Sequence, residues 1–116
     1  MICYKQGEIV LIQFPFTNGN SLKKRPAVVI SPNWYNSNRP DCIMAAISSV
    51  VPLTLEMDQV LVKGSEISQS GLLSESVIQT GKIFTIESAN VVKSLGFLNV
   101  SLRDRVLEKL QYLFKY

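Results

Sequence analysis

The sequence predicts a mainly β (α+β) domain, a small antiparallel barrel or sandwich with an amphipathic C-terminal helix closing one side. Short runs of β-forming residues follow one another at close spacing, and no long helical segment separates them. Helical periodicity is confined to the C-terminal end. A chain of 116 residues is the size of one ordinary domain, so residues 1–116 are assigned to a single domain.

The first two predicted strands lie on either side of a polar loop. Residues 8–14 form a β-rich run between a glycine and a proline. Residues 16–25 are polar and contain several turn-forming residues. The second strand covers 27–31, and Pro26 precedes it, where a missing N–H costs least.

Three more strands are predicted after a ragged polar segment that has no assigned element. They cover 42–50, about 58–63, and 76–80. The last of these can continue to 86, with Gly81 marking a bulge or a turn. The close spacing of the strands favours antiparallel pairing.

The C-terminal segment has an apolar stripe at helical spacing, with charged residues on the opposite face. Ser101 is the expected N-cap, and Asp104 three residues later gives a weak capping box. The stripe consists of Leu102, Val106, Leu107, Leu110, Leu113 and Phe114.

Composition excludes several classes of chemistry. The sequence contains no histidine, so a histidine acid/base pair and a Ser–His or Cys–His nucleophile are excluded. The carboxylates are scattered and form no metal-binding motif, so no metal and no cofactor is expected. Cys3 and Cys42 lack CxxC spacing, and no stretch has the length of a membrane span, which favours a reduced, cytoplasmic location.

Positive charge is concentrated in one place. The net charge is +3, and three adjacent cations, Lys23, Lys24 and Arg25, stand directly before a buried strand. A local cluster of this kind indicates contact with an anion rather than a general polycationic tail.

Two segments carry a resemblance to a known family. "GEIVLIQFPFTNGNSLKKRPAVVIS" and the later "GLLSESVIQTGKIFTI" resemble, in order and spacing, the MazF/PemK toxins of type II toxin–antitoxin systems. The resemblance implies an SH3-like barrel with a C-terminal helix that forms a homodimer. It also implies a metal-independent, sequence-specific endoribonuclease that cuts single-stranded RNA and is inhibited by a cognate antitoxin.

The resemblance assigns the catalytic roles to Arg25 and Ser48. Arg25 matches the arginine of the family's R-P pair, and its guanidinium can contact two phosphoryl oxygens. Ser48, in "AAISS", matches a Thr or Ser that donates a hydrogen bond to the same group. Ser49 is a further RNA-binding candidate, although strand alternation directs it to the other face unless a bulge intervenes.

Residues 79–81 depart from part of the family. An Arg and an Asp of the PemK-like branch correspond to Gln79 and Gly81, which cannot ionise. Gln79 and Thr80 therefore remain RNA-binding candidates without an acid/base role. Arginine is a poor base because it stays protonated. Glu8 and Glu87 are conceivable as bases, so the proton-transfer roles stay open.

The polar loop before the second strand supplies the other RNA-binding candidates. Lys23 and Lys24 are expected to contact phosphates, and Asn18 and Asn20 to contact base edges. The aromatic pair at 34–35 could stack on bases, but packing or dimer contacts are the favoured interpretation.

Two alternatives keep the fold and change the function. One is a weakly active or inactive relative that binds RNA or its antitoxin without cleavage. The other is a gyrase-directed toxin of the CcdB type, which depends on a C-terminal Trp-Gly-Ile end; this sequence ends "LFKY", so it is disfavoured. The RNA sequence that is cut and the identity of the antitoxin stay open.

Overall fold

The computed structural model describes residues 3–13 and 23–115. This part of the chain forms six strands: β1 (Glu8–Gln13), β2 (Lys24–Val29), β3 (Asp41–Ser48), β4 (Gln59–Val62), β5 (Ser76–Glu87) and β6 (Val91–Phe97). It also forms three α-helices: α1 (Asn33–Asn38), α2 (Ser65–Ser70) and α3 (Val100–Lys115). Among the described residues, no helix is long and apolar enough to span a membrane.

The strands form one sheet in the order β4-β5-β3-β2-β1-β6, and each neighbouring pair is antiparallel. The predicted class, a mainly β antiparallel fold with a C-terminal helix, is confirmed. Alternation along the strands gives the sheet two apolar faces. One face packs against α3 through Leu102 and Val106, and the other forms a separate cluster around Val10, Ile12 and Met44.

The long β5 strand contains the predicted irregularity. Its register with β3 passes from Ile83 opposite Ala45 to Gln79 opposite Ala46, so the residues around Gly81 are extra on the β5 side. A Cβ atom at Gly81 would approach an Asp58 carboxylate oxygen to 2.6 Å. The bulge therefore has room for a glycine but little for a side chain unless Asp58 moves.

Three elements lie where the sequence predicted none. Helices α1 and α2 are each six residues long, too short to produce a recognisable apolar stripe. Strand β6 contains Lys93, Ser94 and Gly96 and lies at the edge of the sheet, so it lacks the alternating apolar pattern of a central strand.

The predicted N-cap of the last helix was wrong by two positions. Asn99 caps α3, since its Oδ1 accepts the Leu102 N–H at 2.8 Å, and its carbonyl accepts the Arg103 N–H. Ser101 lies inside the first turn. Leu113 and Phe114, which were expected in the packed stripe, are 40% and 77% exposed.

Helix α2 and strand β6 approach each other unusually closely. A Cβ atom at Gly71 would overlap the Leu95 carbonyl, and one at Gly96 would overlap the backbone of Gln69 and Ser70. Gly71 also has a φ of 76° and ends α2 with a hydrogen bond from its N–H to the Ile67 carbonyl. These two glycines fix where the chain from 71 to 76 runs.

Candidate active site

The candidate site lies where two neighbouring strands separate. The β2–β3 ladder ends at the pair Ala27–Ala46. Beyond it, β2 stays paired with β1 and β3 stays paired with β5. Pro26 is the next residue of β2 and has no N–H to extend the ladder. Two residues beyond the last pair, the same register would bring Arg25 and Ser48 opposite each other.

A cavity of about 750 Å³ occupies this region, and we call it the cationic cavity. Its described lining comes from segments 23–26, 47–50 and 71–74 and from Leu11, Ser76, Lys93 and Leu95. These described lining residues include four cationic side chains and no carboxylate. The neighbouring segment 14–22 lies outside the described residues, and its sequence contains no Asp, Glu or His.

The cations of the cavity are available to a ligand. Lys23, Lys24 and Arg25 are exposed, and none of them forms an ion pair with a described carboxylate. Several positive charges that face one concavity without a counter-charge create a potential that attracts anions. A polyanionic strand suits this site better than a neutral small molecule does.

Ser48 is held in a defined position at the end of β3. It is half-buried, and its Oγ accepts the Val50 N–H at 3.1 Å. Its hydroxyl hydrogen is thus left to donate to a ligand. Ser49 also lines the cavity, because β3 ends at Ser48 and strand alternation no longer applies beyond it.

Five of the predicted site residues, Lys23, Lys24, Arg25, Ser48 and Ser49, line the same cavity. Gln79 and Thr80 are not among its described lining residues. The Thr80 side chain is 0% exposed and donates its hydroxyl to the Asp58 carbonyl at 2.6 Å. The Thr80 hydroxyl thus ties β5 to the segment before β4, and the contact of Thr80 with RNA stays a prediction.

Gln79 pairs with Ala46 on one side and with Gln59 on the other, in the middle of the sheet. It is half-buried and has no described contact with the cationic cavity. Asn18 and Asn20 lie outside the described residues, so their proposed base contacts stay predictions.

The two carboxylates considered as bases lie far from the cavity. Glu8 begins β1, four residues before Ile12, which pairs with Arg25. At about 3.3 Å per residue, that is about 13 Å along the strand. The Glu8 carboxylate is buried and accepts the Lys5 N–H at 2.9 Å. Glu87 pairs with Asp41, at the opposite end of β3 from Ser48.

The aromatic pair on α1 also lies outside the described cavity lining. The rings of Trp34 and Tyr35 meet edge to face at 6.0 Å, and the Arg39 guanidinium lies 4.8 Å from the Tyr35 ring centre. A hydrogen bond to the Asp41 carboxylate raises the pKa of Tyr35. For Tyr35, packing rather than base stacking accounts for these contacts.

Cys42 is an unreactive core residue. Its side chain is buried in the second apolar cluster, and this burial raises the pKa of the thiol. Nucleophilic chemistry by a thiolate is therefore disfavoured at this position.

Sequence analysis assigned no site role to Lys93, to residues 71–74 or to Ser76. These residues line the cationic cavity, but they belong to β6, to the connection after α2 and to the start of β5. Their closeness to Arg25 depends on β6 pairing with β1, which the local pattern of residues does not specify.

The fold and this cavity define a small antiparallel β protein with a C-terminal helix and a cationic concavity where two strands separate. The chain belongs to the PemK-like, MazF-like toxin family of type II toxin–antitoxin systems, whose family model matches residues 5–114. No curated protein is similar enough in sequence to count as a match.

Solved structures agree with the fold. MazF from Deinococcus radiodurans has a TM-score of 0.77 at 17% identity, with 100% of both chains covered. A mycobacterial endoribonuclease in complex with its cognate antitoxin has a TM-score of 0.78 at 13% identity, covering 96% of this chain and 94% of that one. The Mycobacterium tuberculosis toxin MazF-mt6 has a TM-score of 0.73 at 20% identity, covering 92% and 95%.

Proposed function

We propose that this protein is the toxin of a type II toxin–antitoxin pair and a metal-independent endoribonuclease that cleaves single-stranded RNA in a sequence-specific manner. The family supports the class of protein. The observation that supports this active site is the cationic cavity, in which Arg25 and Ser48 lie on two neighbouring strands that separate at this point. The described lining residues of the cavity include no carboxylate.

The RNA supplies its own nucleophile. The 2′-oxygen attacks the adjacent phosphorus, the bond to the 5′-oxygen breaks, and a 2′,3′-cyclic phosphate forms. The attack is intramolecular, so holding the strand in the required orientation contributes much of the rate. Arg25 binds two phosphoryl oxygens and stabilises the charge that develops on them, and Ser48 donates its hydroxyl to the same group.

Proton transfer does not use a carboxylate or an imidazole. The proton of the 2′-hydroxyl passes to solvent, and the departing 5′-oxygen takes a proton from water or from a lysine ammonium group of the cavity. We expect kcat to rise with hydroxide concentration across the neutral range, without the plateau that a carboxylate base would produce once it is deprotonated. A pH–rate profile of the purified enzyme checks this, and a rate that levels off above mildly acidic pH would reveal a carboxylate base.

The partners proposed are single-stranded RNA, a cognate antitoxin and a second copy of the chain. The mycobacterial neighbour is complexed with its antitoxin, and one Deinococcus radiodurans structure is a MazE–MazF complex. Exposed apolar side chains near the end of α3, Leu113 and Phe114 with Met57 nearby, support an interface. Sedimentation as a stable monomer at micromolar concentration would contradict the homodimer.

The decisive experiment is cleavage of a mixed-sequence single-stranded RNA in excess EDTA, with analysis of the new 3′ ends. We expect 2′,3′-cyclic phosphates and about a hundredfold lower rate for Arg25→Ala. Arg105→Ala, an exposed arginine on α3 outside the described lining of the cavity, is the matched control and should cleave normally.

Each other outcome has a definite meaning. Cleavage that stops in EDTA contradicts the metal-independent mechanism. Binding of RNA without cleavage favours the alternative of an inactive binder, which the non-ionisable Gln79 and Gly81 support. Equal rates for Arg25→Ala and wild type would remove the proposed centre.

A further inference from the structure

Lys93 supplies a cation to the cavity from a different part of the sheet than the cluster at 23–25. It lies on β6 opposite Leu11 of β1, and Leu11 in turn lies opposite Pro26 of β2. Its side chain is exposed, lines the cationic cavity and forms no ion pair with a described carboxylate.

The separation of Lys93 and Arg25 along the backbone of the sheet suits two anions rather than one. Neighbouring strands lie about 4.8 Å apart, so Lys93 and Pro26 are separated by about 10 Å across the sheet, with Arg25 one residue beyond Pro26. Two like charges repel each other, and the described lining contains no carboxylate to hold them together. A single strand of RNA presents negative charges in succession, which matches such an arrangement.

We propose that Lys93 binds a backbone phosphate next to the one that Arg25 binds, so that the cavity takes at least two consecutive phosphates of the RNA. This inference rests on the proposed function. Lysine provides a compact charge with three donors, which holds a phosphate without reading a base. Lys93 is thus a positioning residue, and it binds substrate and transition state equally.

The test uses an RNA that binds but cannot be cut, a mixed-sequence oligonucleotide with 2′-O-methyl groups at all positions. Its affinity is measured over a series of salt concentrations for wild type, Lys93→Gln and Lys63→Gln. Lys63 is an exposed lysine beyond β4, outside the described cavity lining, and its substitution changes net charge by the same amount. Thermal melting verifies that both variants fold as wild type does.

We expect Lys93→Gln to reduce the slope of log affinity against log salt by about 0.7, the contribution of one phosphate contact to a single strand. Lys63→Gln should leave the slope unchanged. With cleavable RNA, Lys93→Gln should raise KM and leave kcat within about twofold, because uniform binding affects KM alone.

Results that contradict this inference can be distinguished from results that contradict the proposed function. A wild-type protein that binds and cleaves RNA, together with an unchanged slope for Lys93→Gln, overturns this inference alone. An equal loss of slope in Lys63→Gln also overturns it, since net charge would then explain the effect. A wild-type protein that neither binds the 2′-O-methyl oligonucleotide nor cleaves RNA overturns both proposals.

Discussion

The cationic cavity has two walls of different character. One wall, which we call the cationic wall, consists of Lys23, Lys24 and Arg25 together with Lys93. The other, which we call the uncharged wall, consists of residues 71–74 and Ser76. The side chains of the cationic wall are exposed, whereas the uncharged wall is fixed by backbone packing between α2 and β6.

Internal hydrogen bonds hold the uncharged wall. The Ser70 hydroxyl donates to the Ile67 carbonyl at 2.7 Å and accepts the Leu72 N–H at 3.2 Å. The Ser76 hydroxyl donates to the Ser74 carbonyl at 3.0 Å. We therefore expect stability to depend on the uncharged wall and ligand binding to depend on the cationic wall. Changes to the cationic wall should weaken RNA binding and leave folding intact. Changes beneath the uncharged wall should lower the stability of the fold before they affect RNA binding.

The largest effect is expected at Gly71, beneath the uncharged wall. An alanine there adds a Cβ atom that overlaps the Leu95 carbonyl and imposes a positive φ on a residue that disfavours it. Since a backbone carbonyl cannot rotate away as a flexible side chain can, we expect Gly71→Ala to cost about 3 kcal/mol or more. Urea unfolding followed by circular dichroism measures the loss.

Two other glycines separate the causes of that loss. Gly64 has a φ of 62°, but a Cβ atom added there would meet no atom within 4 Å, so Gly64→Ala isolates backbone strain. Gly96 lacks a positive φ, but its Cβ would overlap the Gln69 carbonyl, so Gly96→Ala isolates the steric overlap. A stability of Gly71→Ala equal to that of wild type would show that α2 and β6 are not in close contact.

The sequence predicted strands β1 to β5 and missed β6. Strand β1, with Ile9, Val10 and Ile12 buried, has the β-rich composition of a buried strand; it was predicted over 8–14, and residue 14 lies outside the described residues. Strand β6 was missed because an edge strand with Lys93 and Gly96 needs no apolar alternation. Tertiary pairing, rather than local preference, makes that segment a strand.

The same distinction applies to the site. Arg25 and Ser48 belong to motifs that are continuous in sequence, so a family resemblance could assign them roles. Lys93 and Leu73 reach the cavity because β6 pairs with β1 and α2 packs on β6, and these contacts join segments that are distant in sequence from Arg25 and Ser48. Thr80 was named from its place beside Gln79 in a family motif, whereas the hydrogen bond from its hydroxyl to the Asp58 carbonyl depends on the pairing of β5 with β4.

An intermediate effect is expected at Ser48, between the two walls. Ser48→Ala removes one neutral hydrogen bond to the phosphoryl group, worth about 1.4 kcal/mol, so kcat should fall about tenfold. Ser48→Thr keeps the hydroxyl and should retain most of the activity, and Ser101→Ala, at an exposed serine of α3 outside the described cavity lining, is the control. Single-turnover cleavage measures the three rates. If Ser48→Ala cleaves RNA as fast as wild type does, the Ser48 hydroxyl accepts the Val50 N–H and does not contact the phosphoryl group.

The smallest effect is expected at Leu73, at the mouth of the uncharged wall. Leu73 is fully exposed, whereas its neighbour Leu72 packs against the first apolar cluster. An exposed apolar side chain in the lining of a cavity that also contains cations can cover the face of a base whose phosphate the cations hold. Partial burial of a leucine contributes about 1 kcal/mol, so Leu73→Ala should change the preference among cleavage sites about fivefold.

Leu53→Ala is the matched control, because Leu53 is equally exposed and outside the described cavity lining. Sequencing of the 5′ ends of the products compares the two variants. A uniform loss of rate at every site, with preference unchanged, would show that the uncharged wall shapes the cavity without contacting bases.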